Sequence, residues 1–400
     1  MMNLIQRLCT WLTVAALGAA VAVTHAADSR AAAGISCTNI VVADVPWSIH
    51  VVKIPRAGNF YEIQSRHADG HALGMSTLSD QIALTNPVTG TAVAAVNGGF
   101  YFWNNGRKNP YTGSPRGLQV VEGEVISAPA GNAGWWVDFA GEPHLTAVAS
   151  QFAITWPDGR TTPFGLNCAR AATNVTLYTP AAGASTYTTN GLELVLEQKD
   201  GGPWLPLRVG RKYPARVREV RQGGDTALAS NIMILSVGPG VMEQFKEIKA
   251  GDGLQISTAT SPALPGLKAA LSAGPALVID GKQQKIKPSS SDQYQFSSML
   301  ERHPRTAIGW NDSWFYLVEV DGRQKELSVG MTLDELSEFL VKQGCKQALN
   351  LDGGGSSTLW FDGSVRNSPC DGHERVIANS LVVVQKSPKV RAKAEEVAQP

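Results

Sequence analysis

The stretch "ALNLDGGGSSTLWFDG", residues 348–363, joins two short apolar segments through an acidic residue and three consecutive glycines. Asp352 stands where the first segment ends, and Gly353, Gly354 and Gly355 follow it before two serines. Apolar runs of this length bounded by glycine predict β-strands. Glycines let the backbone turn sharply and approach a ligand closely, and the N–H groups of such a turn can hold an anion. We therefore interpret the stretch as two strands joined by an anion-binding turn beside a carboxylate.

Two nucleotide motifs and one nucleophile motif are excluded at this turn. It lacks the lysine of a phosphate-binding P-loop, and it does not follow the G-x-G-x-x-G pattern. Ser356 is not part of a G-x-S-x-G elbow, so the sequence does not support a serine nucleophile. The alternative is a glycine-rich hairpin in which Asp352 bonds only the amides of its own turn.

Other segments also place polar residues at the ends of predicted strands. In "AAVNGGFYFW", from residue 94, Asn97 precedes two glycines and aromatic residues that suit a sugar. In "HPRTAIGW", from residue 303, Arg305 stands at the entry of a strand. In "VEVDGR", from residue 318, Asp321 and Arg323 stand at the end of one. Several polar strand ends of this kind predict one shared site.

The composition restricts the class of partner. The chain has 400 residues, of which 43% are hydrophobic and 17% charged, so it can bury a large core. Its 35 Lys and Arg residues nearly balance its 34 Asp and Glu residues, without a long basic block. Nucleic acid and anionic membrane surfaces are therefore not the expected partners, and a carbohydrate or another small molecule is.

Most of the chain alternates apolar and polar residues over short runs that end in turn signals, which predicts a strand-rich α+β fold with mixed sheets. Only three segments have a helical pattern: "STLSDQIAL" from 76, "VMEQFKEIKAG" from 241 and "MTLDELSEFLVKQG" from 331. In the last segment Thr332 and Glu335 match a capping box, and Gly344 marks the end. We expect a few packed helices against the sheets.

The predicted organisation has three parts. Residues 1–26 match a signal peptide, because a basic residue precedes a 16-residue apolar run that is short for a membrane span of ~20 residues. Residues 35–385 form the domain, which includes an inserted or appended β-rich lobe at about 150–270. Residues 386–400 are polar and are predicted to be disordered. We therefore expect a periplasmic or secreted protein without a membrane segment after cleavage.

Export changes the interpretation of the cysteines. Removal of the signal leaves Cys37, Cys168, Cys345 and Cys370, an even number in an oxidising compartment, which predicts one or two disulfides. Four cysteines allow three pairings. We favour Cys345 with Cys370, because both flank the Asp352 turn.

Five segments together resemble the phosphodiester glycosidase family: "VNGGFYF", "RTAIG", "VDGR", "LNLDGGGSSTLW" and "RVIANSLVVV". Their order is specific, and they extend over roughly residues 90–385. The resemblance implies an exported hydrolase that cleaves a sugar 1-phosphodiester or a related exopolysaccharide or glycopolymer linkage. Motif by motif, it implies a site lined by Asn97, Gly98, Gly99, Arg305, Asp321, Arg323, Asp352, Gly353, Gly354, Ser356 and Asn379.

The chemistry of these residues suits that class. Cleavage of a sugar C1–O bond ordinarily uses two carboxyl groups, but phosphate is a weakly basic leaving group that needs little protonation. Asp352 is then the main catalytic carboxylate, with Arg305 and the turn amides on the phosphate and Asp321 as a second carboxyl. Further substrate contacts are expected from Asn167 and Arg170 in the lobe, and from Tyr101 and Arg116 near the first glycine pair. For the two lobe residues, a loop held by a disulfide at Cys168 is an equally good explanation.

Two other functions fit the same residues. One is a glycan-binding protein of exopolysaccharide assembly without catalysis. The other is a metal-dependent phosphodiesterase in which Asp321 and Asp352 bind the metal. The glycosidase reaction requires no cofactor, and a bound Ca²⁺ or Mg²⁺ is the alternative.

Overall fold

The computed structural model of the protein describes residues 22–24, 34–68, 73–103, 109–286 and 297–391. Four β-sheets and few helices make up this part of the chain, which confirms the strand-rich α+β class. The predicted signal peptide lies outside the described residues except for Ala22–Thr24, and the predicted tail does so beyond residue 391. Strands are numbered β1–β26 along the chain.

One layer is an antiparallel sheet of eight strands, which we call the central sheet. One face packs against a second sheet, and the other face carries a helix. In spatial order its strands are β1 (Ala22–Thr24), β2 (Ser36–Val42), β3 (Trp47–Pro55), β22 (Trp314–Val320), β21 (Arg305–Trp310), β23 (Gln347–Asn350), β19 (Ala276–Ile279) and β20 (Lys282–Gln283).

A five-stranded antiparallel sheet, the flanking sheet, covers one face of the central sheet. Its Val96 and Leu359 pack in one apolar core with Val52 and Leu317 of the central sheet. Burial of such side chains stabilises the folded chain by about 1.5–3 kcal/mol each. In spatial order the strands are β25 (Ser364–Val365), β24 (Leu359–Phe361), β5 (Gly90–Asn97), β26 (Asn379–Lys386) and β4 (Tyr61–His67).

A third sheet links this sandwich to the β-rich lobe, and we call it the bridging sheet. Trp135 and Trp136 are adjacent on its strand β8, so they face opposite sides and enter two different cores. Its strands, in spatial order, are β7 (Glu124–Ser127), β6 (Gln119–Val121), β18 (Leu267–Ser272), β8 (Ala133–Asp138) and β9 (Pro143–Ala147).

The lobe sheet has eight strands between residues 149 and 261, where the sequence predicts a β-rich lobe. It is inserted between β9 and β18 of the bridging sheet and has its own large core. Only β12 and β13 are parallel among the described strand pairs. The strands are β11 (Thr161–Pro163), β10 (Ala149–Thr155), β17 (Gly253–Ser261), β15 (Lys212–Gln222), β14 (Leu192–Gln198), β16 (Met233–Val237), β13 (Val175–Tyr178) and β12 (Gly165–Leu166).

Two of the three predicted helices are confirmed: α1 (Leu78–Ala83) and α2 (Leu333–Lys342). Each begins with a capping box, formed in α2 by Thr332 and Glu335 as predicted. The helix predicted from residue 241 is wrong, because only a 3₁₀ turn at Met242–Phe245 forms there. Phe245 is the one side chain that this turn buries, so tertiary packing supports no further turns. Other 3₁₀ turns are Ala57–Asn59, Pro180–Ala182, Ser297–Met299 and Gly354–Ser356.

Each helix covers the outer face of one sheet. Helix α2 buries Leu333, Leu336 and Leu340 against the central sheet, and α1 buries Leu78 and Ile82 against the flanking sheet. Within the described part of the chain, no helix has the length and apolar character required to cross a bilayer.

The packing of α2 predicts how much stability is lost when one of its buried leucines is truncated. Leu336→Ala should lower the free energy of unfolding by about 2–5 kcal/mol, because Leu336 is fully buried beneath the helix. Glu338→Ala is the control, since Glu338 lies on the exposed face, where it pairs with Lys342, and its loss should change stability by less than about 1 kcal/mol. Urea denaturation followed by tryptophan fluorescence measures both. Equal losses would contradict the assigned helix face.

Candidate active site

The predicted turn at Asp352 lies where the chain crosses from the central sheet to the flanking sheet. Strand β23 ends at Asn350 in the first, and β24 begins at Leu359 in the second. Between them Gly354–Ser356 form a single 3₁₀ turn. The backbone N–H of Gly353 donates to Asp352 Oδ1 at 2.9 Å. Asp352 therefore stands at one end of the sandwich, where both sheets supply its neighbours.

The glycines of this turn admit two arginine side chains against the backbone. Gly354 has a φ of 61°, in the left-handed region that favours glycine. Gly355 faces Arg375 so closely that a Cβ atom would lie 1.9 Å from Arg375 Nη2. A Cβ on Gly354 would lie 3.0 Å from Arg323 Nη2. The glycine run thus leaves space for guanidinium groups that a larger residue would displace.

Asn97 holds the turn from the flanking sheet. Its Nδ2 atom donates to the carbonyl oxygen of Asp352 at 2.7 Å. Its Oδ1 atom accepts from Thr306 Oγ1 at 2.7 Å and from the N–H of Thr358 at 3.1 Å. Asn97 is fully buried, so its amide group connects β5, β21 and the segment entering β24 without contact with solvent.

The neighbouring residues Gly98, Gly99 and Asn379 form a second layer of support. The N–H of Asp352 donates to the carbonyl of Gly98, whose own N–H donates to the carbonyl of Asn379. Gly99 donates its N–H to Asn379 Oδ1 at 2.7 Å. A Cβ on Gly98 would lie 2.0 Å from that same oxygen, so this close approach requires glycine. These residues position the turn and do not line the cleft beside it.

A cleft of about 260 Å³ opens above the turn, and its lining has two chemical parts. One part is aromatic and consists of Phe100, Tyr101 and Trp103. The other part is cationic. Among the described lining residues, four are arginines and one is an acid, Asp352: the arginines are Arg116, Arg305, Arg323 and Arg375.

The arginines are held in place by other groups. Arg375 bonds Asp371 through Nε and Nη2 and lies over the Trp103 ring at 5.1 Å. Arg116 lies over the Phe102 ring at 4.7 Å. Each of these guanidinium groups is therefore oriented before a ligand binds, which reduces the ordering cost of binding.

Arg305 lines the cleft, as predicted, and most of its donors bond backbone carbonyls. Its Nε donates to the carbonyl of Met331, and its Nη2 donates to the carbonyls of Ser298 and Glu301, at 2.5–2.8 Å. It is buried, and this burial lowers its pKa to about 10, with a further contribution from Arg323. Arg305 therefore braces the wall of the cleft, and its charge adds to the field inside it.

Burial raises the pKa of Asp352 to about 6, from an ordinary value of 3.8. Ser356, the Gly353 N–H, Arg375 and Arg116 all favour the ionised form and offset part of this increase. Tyr101 lies beside it, and burial together with the Asp352 charge raises the pKa of that phenol to about 12. At neutral pH the cleft therefore contains an ionised carboxylate and a protonated phenol.

Asp321 lies apart from the cleft-lining residues, although Arg323 is only two positions away. Its Oδ2 atom lies 3.1 Å from His50 Nε2, and its Oδ1 atom accepts from the N–H of Ser368 at 2.7 Å. Burial raises the pKa of the adjacent Glu319 well above its ordinary value, and the charge of Asp321 raises it further. Asp321 and Asp352 thus occupy separate hydrogen-bond networks.

The lobe residues Asn167 and Arg170 also lie away from the cleft. Asn167 Nδ2 donates to the carbonyl of Ile126 and to Thr179 Oγ1, so it joins the lobe sheet to the bridging sheet. Arg170 donates to the carbonyls of Thr189 and Asn190 within the lobe. Of the remaining predicted residues, the structure brings to the cleft Tyr101, Arg116, Arg323, Asp352, Gly353, Gly354 and Ser356.

Comparison with known proteins identifies the segment that carries most of this site. Residues 225–384 match the phosphodiester glycosidase family. The match is to this segment and not to the chain as a whole. It includes the Asp352 turn and three of the four cleft arginines, while Arg116 and Asn97 precede it.

Two curated relatives match short parts of the chain. The SPbeta prophage-derived protein YomE of Bacillus subtilis (strain 168) is 34% identical over 98 residues, which are 24% of this chain and 15% of that protein. The N-acetylglucosamine-1-phosphodiester alpha-N-acetylglucosaminidase of Bos taurus is 41% identical over 68 residues, which are 17% of this chain and 12% of the bovine enzyme. The matched segments thus span less than a sixth of these relatives.

Two solved structures share the fold over most of the chain. A hypothetical protein from Synechocystis superposes with a TM-score of 0.70 at 19% identity, covering 88% of this chain and 62% of that one. A protein described as exported, from Burkholderia pseudomallei K96243, superposes with a TM-score of 0.66 at 22% identity, covering 88% and 75%. At these identities the similarity shows the fold alone.

The structure adds to the cleft several residues that the sequence did not single out as site residues. Arg375 is the first residue of the "RVIANSLVVV" motif, but the motif alone gave no reason to assign it to the site. The structure does so, because the Arg375 side chain lies against Gly355 of the turn. His303 lines the cleft next to Arg323, whose Nε donates to His303 Nδ1 at 3.3 Å. Burial and the nearby arginines lower the pKa of His303. Phe100 and Trp103 belong to the aromatic run that the sequence linked only in general to a sugar.

The predicted disulfides do not form among the described cysteines. Cys168, Cys345 and Cys370 are free thiols. Cys345 is buried in the core beneath α2, whereas Cys370 Sγ lies at the surface beside Arg323 Nη1 and Asp371. The favoured bridge between Cys345 and Cys370 is therefore absent from this structure, because the two thiols lie in different environments.

The raised pKa of Asp352 predicts a pH-dependent cost to stability. Its carboxyl titrates at 3.8 ordinarily and at about 6 in the fold, so the free energy of unfolding should fall as the pH rises through this interval. Asp352→Asn removes the charge and should raise stability at pH 7.5 by up to about 3 kcal/mol, less where the cleft admits water. The two proteins should converge near pH 4.

Thermal melts of both proteins at several pH values measure this difference. Asp362→Asn, in the hairpin between β24 and β25, is the control and should show no such trend. If Asp352→Asn is instead less stable than the wild type at every pH, the carboxylate serves only the structure of its turn.

Proposed function

We propose that this protein is an exported glycosidase that hydrolyses a sugar 1-phosphodiester, with Asp352 as the catalytic carboxylate. The observation that supports this most directly is the cleft itself, whose lining combines one carboxylate with four arginines and an aromatic wall. A sugar and a phosphate joined at C1 have this same division of chemistry. The family match over residues 225–384 supports the same class of reaction.

The arginines would hold the phosphate. Arg323 and Arg375 lie against the glycine turn, and Arg116 lies close enough to Asp352 to favour its ionised form. Guanidinium groups make charge-assisted hydrogen bonds with phosphate oxygens, and they stabilise the charge that develops on a departing phosphate. Arg305 would contribute mainly through its field, because most of its donors bond backbone carbonyls.

The aromatic wall would hold the sugar. Phe100, Tyr101 and Trp103 line the cleft, and Trp103 is 43% exposed, so its ring is available to a ligand. Aromatic faces pack well against the apolar C–H faces of pyranose rings. Arg375 lies over the Trp103 ring at 5.1 Å, so the cationic and aromatic parts of the cleft are adjacent.

One carboxylate is sufficient for this reaction. Asp352 would act at C1 as nucleophile or as base, while the C1–O bond breaks and the phosphate departs with the bridging oxygen. Because phosphate leaves without strong protonation, the reaction does not require Asp321, which lies outside the cleft. Net hydrolysis consumes one water, whose oxygen ends on C1.

Attack at phosphorus fits the cleft less well. Two-metal phosphoryl transfer uses several carboxylates or imidazoles that converge on the phosphate. Among the described residues that line the cleft, Asp352 and His303 are the only groups of these kinds. Asp321, the other carboxylate considered for such a site, bonds His50 and Ser368 instead.

Hydrolysis in oxygen-18 water identifies the bond that breaks. Sugar 1-phosphodiesters of hexoses and N-acetylhexosamines are the substrates, and neutral aryl glycosides of the same sugars are the comparison. We expect the label on the C1 hydroxyl, measured by mass spectrometry of both products. Label in the phosphate would establish a phosphodiesterase, whereas binding without turnover would establish a glycan-binding protein.

Replacement of the carboxylate tests its role. Asp352→Asn should lower kcat by at least about three orders of magnitude, because the amide preserves size but cannot serve as nucleophile or base. Asp362→Asn should retain full activity. A kcat of Asp352→Asn within tenfold of the wild type would exclude Asp352 as the catalytic carboxylate.

The pH dependence of kcat/KM distinguishes two roles of Asp352. A nucleophile or base must be ionised, so activity should fall as the pH drops through about 6, the pKa of this carboxyl in the fold. If Asp352 acts as a general acid, activity should instead fall as the pH rises through the same value. Initial rates between pH 4 and 9 separate these profiles.

A further inference from the structure

A buried cluster behind the cleft joins three side chains that can bind a metal ion. One nitrogen or oxygen atom from each of His50, Glu319 and Asp321 lies within 4.8 Å of the others. The strand register explains why they meet: Glu319 on β22 is directly opposite His50 on β3. Asp321 follows two positions later, so its side chain returns to the same face. The exposed fractions of the three residues are 5%, 0% and 2%.

Glu319 is the member of the cluster that its surroundings do not satisfy. Within the described part of the chain, neither of its carboxyl oxygens has a hydrogen-bond partner, although the residue is fully buried. Asn367 lies close to it, but one N–H of its amide group donates to the carbonyl of Ser357 and its Oδ1 accepts from the N–H of Leu359, so at most one N–H remains for two carboxyl oxygens. A buried carboxyl group without a partner costs several kcal/mol.

Glu193 shows how this fold satisfies a buried carboxylate elsewhere. It is also fully buried, on β14 of the lobe sheet. Its Oε1 accepts from Thr188 Oγ1 at 2.6 Å, and its Oε2 accepts from the N–H of Thr226 at 3.1 Å. Both oxygens of Glu193 therefore have protein donors, and those of Glu319 do not.

The charge balance of the cluster also favours a cation. Asp321 Oδ1 accepts a hydrogen bond from the Ser368 N–H, and Asp321 Oδ2 lies within hydrogen-bond distance of His50 Nε2. Two buried carboxyl groups thus lie beside a single imidazole, which bonds Asp321 and leaves Glu319 without a partner among the described residues. A divalent cation would satisfy the oxygens of Glu319 and neutralise both carboxylates at once.

We propose that His50, Glu319 and Asp321 form a binding site for a divalent first-row transition metal such as Zn²⁺. The imidazole nitrogen gives the preference, because Ca²⁺ and Mg²⁺ are held mainly by oxygen ligands. Three protein ligands leave room for water or for the hydroxyl of Ser48, which lies 3.3 Å from His50 Nε2. The site is separate from the proposed reacting groups, since none of the three residues lines the cleft.

The metal would stabilise two segments that carry cleft residues. Asp321 precedes the cleft residue Arg323 by two positions, and Ser368, bonded to Asp321, precedes the Asp371 that orients Arg375. Occupancy would fix the ends of both segments. The expected function of the site is therefore structural: it positions two arginines and takes no part in bond cleavage.

Metal titration of the untagged, chelator-treated protein tests the site. Isothermal titration calorimetry with Zn²⁺ should give one site per chain, and saturation should raise the Tm, because the metal binds only the folded state. Ca²⁺ under the same conditions should raise it less. Absence of Zn²⁺ binding, or a response to Ca²⁺ alone, would overturn the proposal.

Matched variants locate the site. Glu319→Gln and His50→Ala should each weaken Zn²⁺ binding by at least about 100-fold. Glu193→Gln is the buried control, and His144→Ala is the control for a surface His–Asp pair, since His144 lies 3.6 Å from Asp138; both should bind like the wild type. If His50→Ala does not fold, Glu319→Gln, which preserves shape, decides alone. Unchanged affinity in Glu319→Gln would overturn the proposal.

Discussion

The side-chain amide of Asn97 connects the two sheets at the point where the candidate site forms. It is fully buried and bonds the backbone of Asp352, the hydroxyl of Thr306 and the backbone of Thr358. A buried polar group must be paired, so the positions of all three partners are coupled to it. The glycine turn, and with it the catalytic carboxylate that we propose, depends on this one set of hydrogen bonds.

The site next to Asn97 contains charges that repel one another. Four arginines line a cleft that contains one carboxylate, Asp352, and burial raises the pKa of Asp352. Like charges held together destabilise the folded state, and the surrounding structure compensates through carbonyl oxygens, aromatic rings and Asp371. Such a cleft is costly when empty and favourable when an anion enters, which is the condition for strong and selective anion binding.

Local sequence patterns predicted much of this architecture. Alternation and turn residues indicated the strands, the capping box indicated α2, and the glycine run indicated the turn at Asp352. The patterns were less informative where a result depends on contacts distant in sequence. The helix predicted from residue 241 does not form, because Phe245 is the one side chain that the 3₁₀ turn there buries. Asp321 and Arg323 share one motif, yet strand register directs Asp321 to His50 while Arg323 reaches the cleft.

The order of strands in the flanking sheet has a consequence for biosynthesis. Its central strand β5 lies between β24 and β26, which the ribosome makes long after β5. Pairing of such distant segments is slow, and it cannot begin until the last strands have been synthesised. The nascent chain therefore cannot complete the core between the central and flanking sheets early. For a protein proposed to be exported, this delay would keep the polypeptide open for passage through a translocation channel and postpone assembly of the cleft until after it.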